Sequence, residues 1–278
     1  MCAWIEKIDV YYIMEFIKAL LSLSVFQCFL LMKHKDDLEN DYHDIYEYVG
    51  IVDMAVSIHS LRQDYSTCIP QESLKPYLSV QACYHPIFKN PVKNSFVCAN
   101  SCMITGSNAS GKSTFLKTLG LNLLLAKSIH TCFCDEMIYF PFHLCTSIHI
   151  KDDIDNGDSY YVKEMKILKQ IVDDVKKQPC LVLIDEILRG TNEKERLIIA
   201  GAILDVLYQS HAYVIVTTHD LRLVDMFSDI QQYCFLDYIE NHQIKWDYTI
   251  HEGICHVGNV MILLEMCGMD QAVIKRIK

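Results

Sequence analysis

The run Gly106-Ser107-Asn108-Ala109-Ser110-Gly111-Lys112-Ser113-Thr114 concentrates residues that bind phosphate. Its glycines let the main chain wrap closely around an anion, its lysine supplies a point charge, and the hydroxyl after the lysine can hold a divalent cation. The apolar run Cys102-Met103-Ile104-Thr105 precedes it and a helical pattern opens at Phe115, so main-chain amides at a helix N-terminus would face the phosphates. On this reading Lys112 reaches the β- and γ-phosphates of ATP, and Ser113 holds Mg²⁺.

A second group is Leu181-Val182-Leu183-Ile184-Asp185-Glu186, an apolar strand ending in adjacent carboxylates. Asp185 would support Mg²⁺ and Glu186 would polarise an attacking water as general base. Alone, such a run is equally an ordinary strand terminus; downstream of a phosphate loop it is a Walker B candidate. A third strand, Tyr213 to Thr218, ends at His219-Asp220, where an imidazole could reach the γ-phosphate at the C-terminal edge of a sheet. A lone histidine after a strand is usually a loop residue, and the shared sheet edge with Lys112 and Glu186 is what singles it out.

Positioning these groups requires strands that alternate with helices. Short β-rich runs and helical patterns do alternate from Ser95 onward: Val97 to Thr105 then Lys112 to Lys127, Leu181 to Asp185 then Glu193 to Gln209, and Tyr213 to Thr218 then Leu221 to Phe227. That order predicts an α/β fold, a P-loop NTPase with a mainly parallel sheet flanked by helices. Cys234 to Glu240 and Gln243 to Ile250 flank Asn241-His242 and predict an antiparallel hairpin at the sheet edge. Before Pro70 the chain lacks proline, and Ile45, Val49, Val52 and Val56 recur at helical spacing, so a small all-helical segment (1–66) is expected ahead of an ATPase domain (67–278).

Composition narrows the class. With 278 residues, 51% of them hydrophobic, the chain can fill a substantial core. A formal net charge of −10 argues against a broad basic surface, so any DNA contact must be local or lie in regions absent here. The 13 cysteines include no C-x-x-C pair; Cys132/Cys134 and Cys98/Cys102 do not match a zinc framework, and reduced, mostly core thiols in the cytoplasm are expected. Glu15 and Lys18 interrupt the apolar stretch from Val10 to Met32, and the uncharged remainder is too short for a bilayer. A buried amphipathic helix and no membrane association are expected, and neither a secretory signal nor an internal repeat is evident.

Read together, these motifs resemble the MutS family of DNA mismatch repair ATPases. The loop is similar to the family's T-G-x-N-x-x-G-K-S-T, including Asn108. Upstream, His85-Pro86-Ile87 and Pro91-Val92-Lys93-Asn94 resemble its H-P-l and p-V-p-N elements. Downstream, Ser159-Tyr160-Tyr161-Val162-Lys163-Glu164-Met165 resembles S-T-F-x-x-E-M, Asp185-Glu186-Ile187-Leu188-Arg189-Gly190-Thr191-Asn192 resembles D-E-x-x-R-G-T-S, and Thr218-His219 resembles T-T-H. The residues from Glu252 to Asn259 are similar to the closing G-x-x-x-x-S-N-A helix, with Gly258-Asn259-Val260 as a departure.

The resemblance implies a nucleotide-gated homodimer. Ser159 of one subunit would complete the γ-phosphate pocket of the other, and DNA would be gripped through helical regions largely missing here. Catalysis would fall to Glu186, His219 and Lys112. The place of the family's adenine-stacking aromatic falls on Glu72, with Tyr77 and Tyr84 nearby and Tyr248 on the opposite face. No room remains for a mismatch-reading domain, so either a truncated chain or a short MutS-like ATPase is implied. Two other readings stand beside this one: an ATP-dependent assembly switch or fragment with no DNA recognition of its own, and an ABC-type ATPase, whose L-S-G-G-Q signature is missing from the sequence.

Overall fold

The computed structural model describes residues 12–19, 23–33, 35–107, 109–148, 160–188, 193–240 and 243–254. The chain divides into two units, Met1–Leu61 and Arg62–Lys278.

In the first unit α1 (12–19) and α2 (Leu23–Lys33) are followed by α3 (Lys35–Asp64), which ends inside the second. Among the described residues of the Val10–Met32 stretch the expected burial is not found: Phe16, Val25, Phe26, Phe29 and Met32 are all exposed. Apolar residues fill nearly every position of the α2 sequence rather than recurring at one helical spacing. Ile45, Val49, Val52 and Val56 share the helical spacing that predicted α3 and are exposed as well. Among the described residues no helix is long and apolar enough to cross a membrane.

The second unit is mixed α/β. Its strands are β1 (Gln71–Glu72), β2 (Leu78–Cys83), β3 (Asn94–Cys98), β4 (Cys102–Gly106), β5 (Glu136–Tyr139), β6 (His143–Ser147), β7 (Cys180–Asp185), β8 (Tyr213–Thr218), β9 (Gln231–Glu240) and β10 (Gln243–Glu252). Between them run α4 (Lys112–Ile129), α5 (Tyr160–Asp174), α6 (Glu193–Tyr208) and the short α7 (Leu221–Asp225). One sheet has the order β1-β5-β2-β3 and the other β10-β9-β4-β8-β7-β6. In the larger sheet β9, β4, β8, β7 and β6 are parallel, and β10 returns antiparallel along β9 as the outermost strand.

The run Val97 to Thr105, expected as one strand, is two strands in different sheets. Polar side chains tie down the corner between them: Cys98 Sγ donates to Asn100 O at 3.0 Å, and Ser101 Oγ accepts Val214 N at 3.0 Å. Strands buried on both faces read as continuous apolar runs, and here alternate residues feed two cores. Ile104, Leu181, Leu183 and Ile215 pack with Leu116, Leu119 and Leu123 of α4. Met103, Val182, Ile184, Val214 and Val216 pack with Leu168 of α5, Leu204 and Leu207 of α6 and Leu223 of α7. The central strands are thereby clamped from both sides, which fixes where their C-terminal ends emerge. All ten cysteines among the described residues are free thiols, eight of them buried.

Candidate functional site

β4 ends at Gly106, whose φ of +149° and crowding leave no space for a side chain: a Cβ there would lie 2.8 Å from Phe235 O and 2.9 Å from Ser110 Oγ. The chain then turns and enters α4 through Gly111, at φ +107° in the left-handed region. Gly111 brings no side-chain acceptor, and Phe115 N donates to its carbonyl at 2.9 Å to begin the helix. First-turn amides of an eighteen-residue helix thus open towards the loop, the arrangement that binds anions. Lys112 is buried, and its Nζ donates to Gly106 O at 2.7 Å and Ser107 O at 2.8 Å. Trp246 Nε1 donates to Ser107 Oγ at 3.2 Å and so braces the loop from β10. Ser110 Oγ is buried with no hydrogen-bond partner, a polar atom facing the loop with its capacity unused.

A cavity of about 590 Å³ opens over this loop. Ala109 to Thr114 form its floor, Glu186 one edge, and Tyr84, His85, Phe88, Asn94 and Tyr248 a partly aromatic wall. Tyr248 sits at the β-bulge between Trp246 and Ile250, with φ +54°. Asn94 fixes it there, since its Nδ2 donates to Tyr248 O at 3.0 Å while its Oδ1 accepts Ile250 N at 2.8 Å. His85 meets Phe88 edge-on at 5.9 Å, and burial lowers the His85 pKa, with the Lys117 charge adding to the effect.

Carboxylates arrive from the neighbouring strand end. Asp185 closes β7 and its Oδ1 accepts Thr217 Oγ1 of β8 at 2.6 Å. Glu186 follows in the left-handed region (φ +52°), its N donating to Thr217 O at 3.1 Å. One Glu186 oxygen, Oε1, lies 3.2 Å from His219 Nδ1 at the end of β8. Two positions on, Leu188 is also left-handed, at φ +55°, and its N–H donates to Glu164 Oε1 at 2.6 Å. Two strained residues in so short a turn persist only where surrounding contacts over-determine them, and such strain clusters at functional sites. Glu164 is 1% exposed, and that burial raises its carboxyl pKa against the opposing pull of the Leu188 N–H. Beyond His219, Asp220 caps α7 and is clasped by Arg222 and Arg196, which hold its carboxyl down at about 2.

Residues 102–278 match the family described as MutS domain V. The chain belongs to the MutS family. It is similar to the MutS protein homolog 4 of Mus musculus, at 30% identity over 208 residues covering 70% of this chain and 21% of that protein. It is also similar to the Endonuclease MutS2 of Streptococcus uberis, at 27% identity over 74% of this chain and 27% of that protein. The DNA mismatch repair protein MutS of Natronomonas pharaonis is 25% identical over 82% of this chain and 28% of that protein. The chain thus spans less than a third of the length of these MutS relatives.

Of the residues that the MutS resemblance nominates, Lys112, Ser113 and Glu186 line one cavity, with Asp185 and His219 tied to its edge. Asn108, Ser159, the Arg189 to Asn192 segment and the residues from Cys255 onward lie outside the described residues. Among the four positions considered for adenine, Tyr84 and Tyr248 line the cavity, whereas Glu72 and Tyr77 do not. His85 and Phe88 also line it; the sequence singled out His85 only as part of His85-Pro86-Ile87, and Phe88 not at all.

Proposed function

We propose that the cavity binds ATP as a P-loop nucleotide site and that the chain hydrolyses it, with residues 67–278 as the ATPase domain and 1–66 as a helical attachment. The reading rests above all on one observation: Glu186 and the glycine-framed loop carrying Lys112 and Ser113 line the same cavity. The loop suits a polyphosphate, because it combines a helix N-terminus with no side-chain cap, a buried hydroxyl with no partner and a close approach that only glycine permits. Gly106 to Thr114 would hold the phosphates, Lys112 would exchange its two loop carbonyls for phosphate oxygens, and Tyr248 would flank the base. Ser113 and Asp185 would hold Mg²⁺, which supplies charge neutralisation on the phosphates.

In this reading Glu186 takes the proton of the attacking water, and His219, whose Nδ1 lies 3.2 Å from Glu186 Oε1, orients its carboxylate. Catalysis is mainly positioning and charge stabilisation. Ser159 from a second copy would complete the γ-phosphate pocket, so ATP would favour a homodimer. Hydrolysis would reset attached helices that act on mismatched or branched DNA in the cytoplasm, in line with the mismatch repair MutS among the relatives. Single-turnover hydrolysis tests the assignment: Glu186→Gln should bind Mg-ATP and cleave it roughly a hundred-fold or more slowly. Unchanged cleavage would remove Glu186 from the mechanism.

A second reading, an ATP-dependent assembly switch with negligible turnover and no DNA recognition of its own, is favoured by the exposed apolar residues of α1 to α3. Binding of the full chain to mismatched, branched and plain duplex DNA, with and without a non-hydrolysable ATP analogue, separates the two. A nucleotide-dependent preference for irregular DNA supports the first reading, and none supports the second.

A further inference from the structure

The opposite edge of the large sheet gathers a different chemistry. β6 is its outer strand and lies against α5. His143 opens β6, and Cys145, two positions on, shares its face of the sheet. Asp174 ends α5, and its carbonyl accepts Lys177 N at 3.0 Å and Gln178 N at 3.3 Å, which closes the turn into β7. That turn is stitched to the edge strand by His143 N donating to Pro179 O at 3.0 Å, and Cys180 then stands opposite His143 in the parallel ladder. An imidazole nitrogen of His143, Sγ of Cys145 and a carboxylate oxygen of Asp174 all lie within 4.8 Å of one another.

We propose that His143, Cys145 and Asp174 form a binding site for a divalent metal ion of the zinc class. An imidazole, a thiolate and a carboxylate are the three donor types that zinc takes, and hard cations such as Mg²⁺ do not choose sulfur. Tetrahedral bonds of about 2.0–2.3 Å put donors roughly 3.3–3.8 Å apart, so the present spacing needs only a small contraction, within reach of side-chain torsions. Exposed histidines and aspartates are common without a metal; the buried thiol between them sets this group apart.

Burial, reinforced by Cys180 and Asp174, pushes the Cys145 thiol up to about 12, and burial and Asp174 likewise raise Cys180. A dication bound here would take Cys145 as the thiolate, its proton leaving to solvent, so affinity should rise with pH. Lys177 Nζ already sits 2.9 Å from Asp174 Oδ1, but it is an exposed partner that a metal can share or displace. Because the donors sit in the first half of β6 and at the end of α5, away from the Gly106–Thr114 loop at the strands' C-terminal ends, the proposal is independent of the nucleotide reading. A bound ion would staple the α5–β7 turn to the sheet edge.

The test is a Co²⁺ titration of the reduced, chelator-treated full chain without nucleotide. One equivalent per chain should give thiolate-to-cobalt charge-transfer absorption that Zn²⁺ abolishes by displacement. Cys145→Ser should remove the band. His143→Ala, at an exposed position that leaves the core intact, should weaken binding by at least roughly ten-fold, since even partners beyond the metal's own ligands cost that much. Cys68→Ser, at a separate thiol contact with Cys134 (3.4 Å), should change nothing. Absence of a thiolate band at one equivalent, wild-type affinity in both Cys145→Ser and His143→Ala, or loss of the band in Cys68→Ser would each overturn the site.

Discussion

Glu164 Oε1 accepts the main-chain N–H of Leu188 at 2.6 Å, so a buried carboxylate on α5 holds the turn that presents Glu186. The turn contains two non-glycine residues in the left-handed region, at Glu186 and Leu188, and each costs of order 1 kcal/mol or more. Removing the acceptor in Glu164→Ala should cost about 1–3 kcal/mol, because the Leu188 N–H is left buried and unpaired. Glu164→Gln keeps an acceptor oxygen and avoids the buried charge, so its stability at pH 7 should equal or exceed that of the wild type. Chemical denaturation of the three proteins checks this ordering, and equal losses in both variants would contradict it.

Gly106→Ala should fold poorly or bind nucleotide weakly. The added methyl would meet a carbonyl oxygen at 2.8 Å at a φ that other residues rarely adopt, and overpacking of this kind costs about 1–3 kcal/mol. Thermal melts with and without Mg-ATP distinguish the outcomes; a variant with the wild-type melting temperature and the wild-type shift on adding nucleotide would refute the cradle geometry.

Acid should loosen the α7 end of the site. Asp220 is depressed to about 2 in the folded chain, chiefly by its hydrogen bonds with Arg222, with Arg196 adding to the effect. A folded pKa below the unfolded value of about 3.9 gives stability that is fully present above pH 4 and lost as pH falls towards 2. Asp220→Asn should therefore lose on the order of 2 kcal/mol at pH 7 and converge on the wild type near pH 2. Parallel stability curves across that range would show that the carboxylate contributes nothing.

Much of this was legible beforehand because the chemistry sits in contiguous runs. The Gly106–Thr114 loop is one segment, and the Asp185-Glu186 and His219 strand ends are marked by apolar runs buried on both faces. What was not legible depends on distant pairing. The separation of β3 from β4 turns on Ser101 bridging to β8, and the smaller sheet pairs β1 with β5 across the whole length of α4. His85 and Phe88 reach the cavity through a loop whose path no periodicity encodes. The exposure of Phe26 and Phe29 was missed because an apolar helix reads as buried whether or not the same chain supplies its cover. Cysteine spacing, likewise, could not bring His143, Cys145 and Asp174 together, since the sheet edge and not the sequence makes them neighbours.

Nucleotide should also control assembly. If Ser159 completes the pocket of a second copy as proposed, a non-hydrolysable ATP analogue should raise the mass seen by light scattering from one chain to two. Ser159→Ala should weaken that shift while leaving binding of ATP to the single chain intact. A mass that ignores nucleotide in the wild type would remove the dimer from the account.

The most direct measurement is equilibrium binding of ATP to the full chain in the presence of Mg²⁺, for the wild type and Lys112→Ala. Saturable binding of one ATP per chain, lost in Lys112→Ala while the circular-dichroism spectrum is unchanged, is the predicted result. No binding by the folded wild type, or equal binding by the variant, would contradict the central claim that this loop cradles a triphosphate.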